Sequence, residues 1–258
     1  MITQEQLQKL TREFKINKTV VAREFVQITF LKELYTQNFS KDLFFKGGTA
    51  IRLLYGGHRF SEDLDFTFML EEKEFEKSME ILFSALSNRY PFKFKERSSI
   101  TGKTYLLTAQ IPVVEPLVYV RLDFSAREDV LEPTNSILKT RYPVIVQNFI
   151  RSLSKDEILA EKVRALMTRN KHRDLYDLWI LQDLGGVLKP NLIKKKLNYY
   201  GEKMDRKKIL ARLEEFSKEE FVVDLRPFVS LNERDKLGDL FDYVIAYLKE
   251  SFVSLETL

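Results

Sequence analysis

The sequence predicts an α+β fold in which strands dominate the first part of the chain and a helical bundle forms the last part. Apolar and polar residues alternate along several segments, as expected of strands that bury one face. The clearest of these segments are residues 63–68, 92–96, 103–113 and 117–125. From Ser154 onward, apolar residues recur instead at the spacing of helices.

Helices are also predicted before and between the strands. The first, over residues 3–15, has Thr3 and Gln6 at the spacing of a capping box. Amphipathic patterns over residues 19–37, and between Leu70 and Pro91, predict two more.

The pattern divides the chain into two predicted domains. Residues 1–150 hold the strands with the N-terminal helices, and residues 151–258 form the helical domain. A short apolar run at 144–146 predicts one further strand before the boundary.

Composition excludes several kinds of site. The 258 residues are 44% hydrophobic and 31% charged, as is usual for a globular protein. The absence of cysteine excludes disulfides, thiolate zinc sites and cysteine nucleophiles. Two histidines, His58 and His172, are too few for a multi-histidine metal centre, so any metal site should use oxygen ligands.

Charge and hydropathy bear on location and partners. The N-terminus has no apolar signal segment and no stretch is long and apolar enough to span a membrane, so we expect a cytoplasmic protein without a membrane partner. The net charge of +4 permits a nucleic-acid partner. Basic residues concentrate between Lys189 and Arg212, which is either a nucleic-acid surface or a solvated helical face.

The segment from Phe44 to Phe68 contains a pair of aspartates. In the predicted strand, Asp63 and Asp65 lie on the face opposite Leu64 and Phe66. Neighbouring carboxylates repel unless a cation or a proton joins them, and Mg²⁺ prefers such oxygens. The pair therefore indicates a magnesium site, although many such pairs are simply solvated.

A glycine pair precedes these aspartates. Gly47 and Gly48 leave backbone N–H groups unshielded at the start of a predicted helix, where oriented amides favour an anion such as a triphosphate. A phosphate cradle so near a carboxylate pair indicates a nucleotide held as its metal complex.

Three residues further along are candidates for the same chemistry. Asp123 lies opposite the apolar face of its strand and is either a third carboxylate of the metal site or an ordinary surface residue. Lys162 lies among apolar helical turns, where an ammonium is kept for a partner or extends its stem to reach water. Asp174 begins the next helix and is a possible cap, which is also the interpretation preferred for Asp177.

The chain resembles the AbiEii/AbiGii family of nucleotidyltransferase toxins, which includes the MenT-type toxins and belongs to the DNA polymerase β-like superfamily. The likeness is carried by three segments, FFKGGTAIRLLYGGHRFSEDLDF, VRLDFS and EKVRALMTRNKHRDLYDLWIL. It implies a mixed-sheet nucleotidyltransferase core and a C-terminal helical bundle that contributes Lys162 and Asp174 to the site.

The resemblance also assigns roles. It implies that Mg²⁺ or Mn²⁺ binds Asp63 and Asp65, with Asp123 as a further ligand, and that an NTP is the substrate. The phosphates would be held by Gly47, Gly48, Thr49, Ser61 and Lys162. The hydroxyl proton would pass to Asp123 or Asp174.

The acceptor implied by the family is RNA, in particular the 3′ end of tRNA. The acceptor-binding residues are then predicted to be Arg164, Arg169, Arg173, Lys194, Lys195 and Lys196. A protein side chain, a small molecule, or a non-catalytic binding role are the alternatives. The resemblance further implies an antitoxin partner and a role in toxin-antitoxin or phage-defence systems.

Overall fold

The computed structural model describes residues 1–98 and 102–255. The chain divides into two compact units. The first comprises Met1–Leu54 and Phe60–Leu153, and the second comprises Tyr55–Arg59 and Ser154–Leu258.

The first unit is built on a mixed sheet with seven strands among the described residues. The strands are β1 (Leu43–Lys46), β2 (Leu64–Phe68), β3 (Phe92–Arg97), β4 (Lys103–Ala109), β5 (Val118–Ser125), β6 (Pro133–Ser136) and β7 (Ile150–Leu153). Their order is β3-β4-β5-β2-β1-β7-β6. The pairs β2 with β5 and β1 with β7 are parallel, and the other neighbours are antiparallel. The predicted α+β fold class, with a mixed sheet, is confirmed.

Among the described residues of the first unit, four α-helices precede or join these strands. They are α1 (Gln4–Phe14), α2 (Lys18–Leu34), α3 (Gly47–Tyr55) and α4 (Glu72–Arg89), with a short 3-10 helix at Asn38–Asp42. The predicted capping box at the start of α1 is confirmed, because the Thr3 side chain accepts from Gln6 and Gln6 reaches back to Thr3.

Apolar side chains of β2 fix which face of that strand is buried. Leu64, Phe66 and Phe68 are almost fully buried, as their alternation predicts. Phe66 stacks on Phe124 of β5 at 4.8 Å between ring centroids, and Phe68 stacks on Phe75 of α4 at 4.4 Å. This packing turns Asp65 to the other face of the sheet.

One predicted strand is wrong. Residues 144–146 form no strand, and Ile145 is exposed. The sheet is continued instead by β6 and β7, on either side of this segment. An apolar run alone does not specify a strand, because the partner that would accept its backbone hydrogen bonds is not local.

The described part of the second unit contains helices joined by loops, and no strand. Its helices are α5 (Lys155–Thr168), α6 (Arg173–Asp183), α7 (Pro190–Asn198), α8 (Arg206–Glu214), α9 (Lys218–Leu225) and α10 (Leu237–Val253), with 3-10 helices at Arg226–Phe228 and Leu231–Lys236. Ser154 caps α5 by accepting from the Glu157 N–H at 3.1 Å, as predicted.

In the part of the chain that the structure covers, we find no helix with the length and apolar character that crossing a membrane requires.

Candidate active site

Two acidic side chains of the central strands lie side by side. Asp65 of β2 and Asp123 of β5 are direct partners in the parallel register. Partners in a sheet project to the same face, so both carboxylates are on the side opposite the aromatic core. Asp63 lies one residue before β2. The pairing of these strands therefore gathers the three predicted carboxylates at one place on the sheet.

Arg121 lies among these carboxylates. Its guanidinium donates to Asp63 Oδ2 at 2.8 Å, and its Nε lies 2.7 Å from Asp123 Oδ2. The other oxygen of Asp123 accepts from the Thr104 hydroxyl at 2.7 Å. Burial lowers the pKa of Arg121, but the charges of Asp63, Asp123 and Asp65 outweigh it, so the net shift is upward. Arg121 is a site residue that the sequence reasoning missed.

Gly47 brings the backbone close to Asp65. Its φ is +74°, and a Cβ atom at this position would clash with the Asp65 carboxylate. The glycine therefore lets that carboxylate lie against the first residue of α3. The N–H groups in the first turn of a helix lack intrahelical partners and attract anions. The predicted cradle and the carboxylates are thus adjacent.

The turn before β2 is held from two helices. Thr49 of α3 donates its hydroxyl to the Asp63 carbonyl, and Gln27 of α2 donates to the Ser61 carbonyl at 3.1 Å. Thr49 is only 1% exposed, so its hydroxyl positions Asp63 and does not face solvent. We therefore expect the Thr49 hydroxyl to act through Asp63, and a phosphate contact from the Thr49 backbone stays a prediction. Phosphate contacts from Gly47, Gly48 and Ser61 stay predictions.

Lys46 is a second residue that the sequence reasoning missed. It is the direct antiparallel partner of Asp65 and is 9% exposed. Opposed residues on neighbouring strands have side chains on one face within interaction distance. Its position just before Gly47 and Gly48 could have indicated a site residue from the sequence. Only the strand register shows that it lies opposite Asp65.

The donor set suits a hard cation, although no complete metal centre is assembled. Within residues 1–98 and 102–255, no three side chains of the metal-binding types are grouped to hold an ion. Asp63 and Asp65 offer carboxylate oxygens, which fit Mg²⁺ or Mn²⁺. Asp123 is engaged by Thr104 and Arg121, so the predicted set of three ligands is not assembled in this structure.

In the second unit, Lys162 is buried between two aspartates. Its Nζ donates to Asp174 Oδ1 at 2.8 Å and lies 2.6 Å from Asp177 Oδ2. Lys162 is therefore kept for partners, one of the two interpretations that its sequence context allows. Its predicted contact with a triphosphate stays a prediction.

Each aspartate has a second cationic partner. Arg169 donates two hydrogen bonds to Asp174, at 2.8 and 2.9 Å, and Arg59 donates two to Asp177, at 2.7 and 2.6 Å. Burial raises the pKa of both carboxyls, but the cations outweigh it and hold both below the ordinary range. For Asp174 the opposing charge is chiefly that of Lys162, and for Asp177 that of Arg59.

Asp177 is thus not a helix cap. It lies in the second turn of α6, 1% exposed, and binds Arg59 and Lys162. The sequence reasoning missed Arg59 because its partner is 118 residues away.

Residues 29–242 match the family model described as "Nucleotidyl transferase AbiEii toxin, Type IV TA system". The chain belongs to this AbiEii family. The predicted family and the predicted nucleotidyltransferase activity are confirmed. As a member of a type IV toxin-antitoxin family, the protein has an antitoxin as its expected partner.

Solved structures share the AbiEii-family fold. MenT4, a nucleotidyltransferase toxin from Mycobacterium tuberculosis, aligns with a TM-score of 0.73 and 17% identity over 100% of this chain and 91% of its own. An H. pylori protein assigned as a nucleotidyltransferase aligns with a TM-score of 0.56 and 20% identity over 94% of this chain and 100% of its own. Comparison with curated proteins gives no match.

One residue predicted to bind the acceptor is buried in this AbiEii-family protein. The Lys196 side chain is 0% exposed, and its Nζ lies 2.8 Å from Glu157 and 3.3 Å from Glu161. A lysine enclosed in this way cannot contact an RNA at the surface, so the prediction for Lys196 is wrong. The neighbouring Lys195 is exposed, and Lys194 is half-buried.

The three predicted arginines have contacts within the second unit. Arg169 binds Asp174, and Arg173 lies 3.1 Å from Asp224 and over the Phe228 ring. Arg164 lies over the Tyr200 ring, with 4.4 Å to the centroid. RNA binding by these arginines and by Lys194 and Lys195 stays a prediction.

Proposed function

We propose that this AbiEii-family protein transfers a nucleoside monophosphate from an NTP to the 3′ end of an RNA, with tRNA as the acceptor. The reaction would need Mg²⁺ or Mn²⁺ and release pyrophosphate. The supporting observation is the adjacency of Asp65, Asp123 and the Gly47 turn. Carboxylates beside helix N-terminal amides suit a nucleotide held as its metal complex.

Asp63 and Asp65 are the proposed ligands of the divalent ion. The chemistry that such an ion supplies is neutralisation of charge on the triphosphate and on the leaving pyrophosphate. The amides of Gly47 and Gly48 would orient the phosphates. Thr49 would act indirectly, because its hydrogen bond fixes the Asp63 backbone.

Of the two predicted proton acceptors, we propose Asp123. Asp174 accepts from Lys162 and Arg169, which hold its pKa low and make it a weak base. In the proposed step, the acceptor hydroxyl oxygen bonds to the α-phosphorus and its proton passes to Asp123. The bond from the α-phosphorus to the oxygen bridging to the β-phosphate breaks, and pyrophosphate leaves.

Exposed basic side chains support a polyanionic acceptor. In the second unit they include Lys195, Lys203, Arg206, Lys207 and Lys208. Cations on a surface bind the phosphate backbone without reading sequence, and such binding weakens as salt rises. Because NTPs and tRNA are cytoplasmic, we place the protein in the cytoplasm, where a toxin of this kind could act in phage defence.

The proposal is tested with each α-labelled NTP, Mg²⁺ and total tRNA. We expect label at the RNA 3′ end, and a loss of more than about 100-fold for Asp63→Asn or Asp65→Asn, the order seen when groups that stabilise transition-state charge are removed. Glu62→Gln is the matched control, because Glu62 pairs with Arg23 at the surface. Label found in protein instead of RNA would refute the RNA acceptor, and full activity of Asp63→Asn would refute the site.

A further inference from the structure

Arg121 contacts two of the carboxylates that are predicted to bind the metal ion. Its guanidinium bridges two carboxylates that lie on different elements, Asp63 before β2 and Asp123 on β5. The side chain is 47% exposed, so its position follows from these contacts and not from enclosure in the core.

Charge explains why the guanidinium lies there. Neighbouring carboxylates on the sheet repel one another, and a cation between two of them relieves their repulsion. Lys46 lies opposite Asp65, and Arg121 contacts Asp63 and Asp123. An arginine provides such a cation without a bound ion, because its planar fork can contact both carboxylates at once. The two oxygens that Arg121 contacts belong to residues predicted as metal ligands.

We propose that Arg121 is an internal counter-ion that holds Asp63 and Asp123 in the metal-free protein and competes with the divalent ion for them. The inference rests on the proposed function for the identity of the ion. Arg121 must leave Asp63 Oδ2 before that oxygen can coordinate. Since the side chain is half-exposed, it can move into solvent without unpacking the core.

Competition of this kind has a thermodynamic signature. Two cations that share ligands weaken each other's binding by the same factor. Removing the guanidinium should therefore tighten metal binding. Loss of a residue needed to build the metal site would instead weaken metal binding. Loss of an arginine needed only to bind nucleotide phosphates would leave binding of the metal alone unchanged.

The test measures Mn²⁺ binding to the full chain without nucleotide, from the electron paramagnetic resonance signal of free Mn²⁺. We expect Arg121→Gln to bind Mn²⁺ about tenfold more tightly than wild type, within the range of coupling between linked sites. Arg121→Lys should fall between them, because it keeps the charge but loses the bridging fork. Arg12→Gln, an exposed residue of α1, is the charge-matched control and should bind as wild type does.

Thermal unfolding provides a second readout that does not depend on activity. In EDTA, Arg121→Gln should unfold at a lower temperature than wild type, because Asp63 and Asp123 lose the guanidinium that bridges them. In saturating Mn²⁺, the unfolding temperature of Arg121→Gln should rise by more than that of wild type. A lower unfolding temperature in EDTA together with a larger rise on adding Mn²⁺ would not arise if Arg121 only stabilised the sheet.

The outcomes separate this inference from the proposed function. Equal or weaker Mn²⁺ binding by Arg121→Gln overturns the inference, while Mn²⁺-dependent transfer by wild type leaves the function standing. If neither protein binds Mn²⁺ and wild type transfers no label with any divalent ion, both fail.

Discussion

Gly47 lies against the carboxylate of Asp65 so closely that a Cβ atom on the glycine would overlap that side chain. Gly47→Ala must therefore move the carboxylate or the start of α3. We expect nucleotide transfer to fall by more than about 100-fold, because misplacing a reacting group by about 1 Å can cost that much. Transfer of α-labelled NTP to tRNA is the measurement.

The matched control is Gly201→Ala. Gly201 also has a positive φ, +70°, but a Cβ there would have no neighbour within 4 Å. It should cost about 1–2 kcal/mol of stability, the strain of an L-residue in this conformation, and leave transfer unchanged. Equal loss of activity in both variants would show that backbone strain alone explains the effect at Gly47.

Thr49→Val should impair the site without touching a substrate group. The change removes the hydroxyl that donates to the Asp63 carbonyl and leaves that acceptor without this partner. We expect a loss of about 1–3 kcal/mol in unfolding free energy, together with reduced transfer. Thr49→Ser keeps the hydroxyl and should retain most activity. If valine and serine behave alike, the hydrogen bond does not position Asp63.

Asp177→Asn should strongly destabilise the protein. Asp177 is buried between Arg59 and Lys162, and neutralising it leaves those cations poorly compensated. We expect a loss of about 3–5 kcal/mol, the usual effect of breaking a buried pair from one side. Denaturant unfolding is the measurement. Asp242→Asn, which removes the exposed partner of Lys218, should cause no measurable change.

Acid should lower the free energy of unfolding through Asp174 and Asp177. The pKa values of Asp174 and Asp177 lie below the ordinary range in the folded state. Their stabilisation is therefore present above the unfolded pKa of about 3.9 and is lost as pH falls toward the folded values. Unfolding free energy should decline below about pH 4. In Asp174→Asn this decline with pH should be shallower. An unchanged slope of unfolding free energy against pH would show that Asp174 does not contribute to the acid sensitivity.

Lys195 and Lys196 are neighbours with opposite expected behaviour. Lys196→Met leaves Glu157 and Glu161 without their buried cation and should cost about 3–5 kcal/mol. Lys195→Met, at an exposed position, should leave unfolding unchanged and weaken tRNA binding with a smaller salt dependence. Binding measured over a salt series separates the two effects. Normal stability of Lys196→Met would contradict the buried ion pair.

Much of the fold followed from local patterns. The faces of β2 were predictable because side chains alternate along any strand, so Leu64 and Phe66 had to oppose Asp65. The cap at Ser154 was predictable because a cap and its acceptor lie within one helical turn. The strand predicted at 144–146 does not form, because strand formation depends on a partner strand, which periodicity does not reveal.

By itself, the sequence determined the acidic pair, the glycine turn before it and the segments that match the AbiEii family, since each is a property of neighbouring residues. Only the tertiary structure decided that Arg121 bridges Asp63 and Asp123, and that Arg59 binds Asp177. These contacts join residues up to 118 positions apart. They depend on strand register and helix packing, which are set by the fit of the whole core and not by any local pattern.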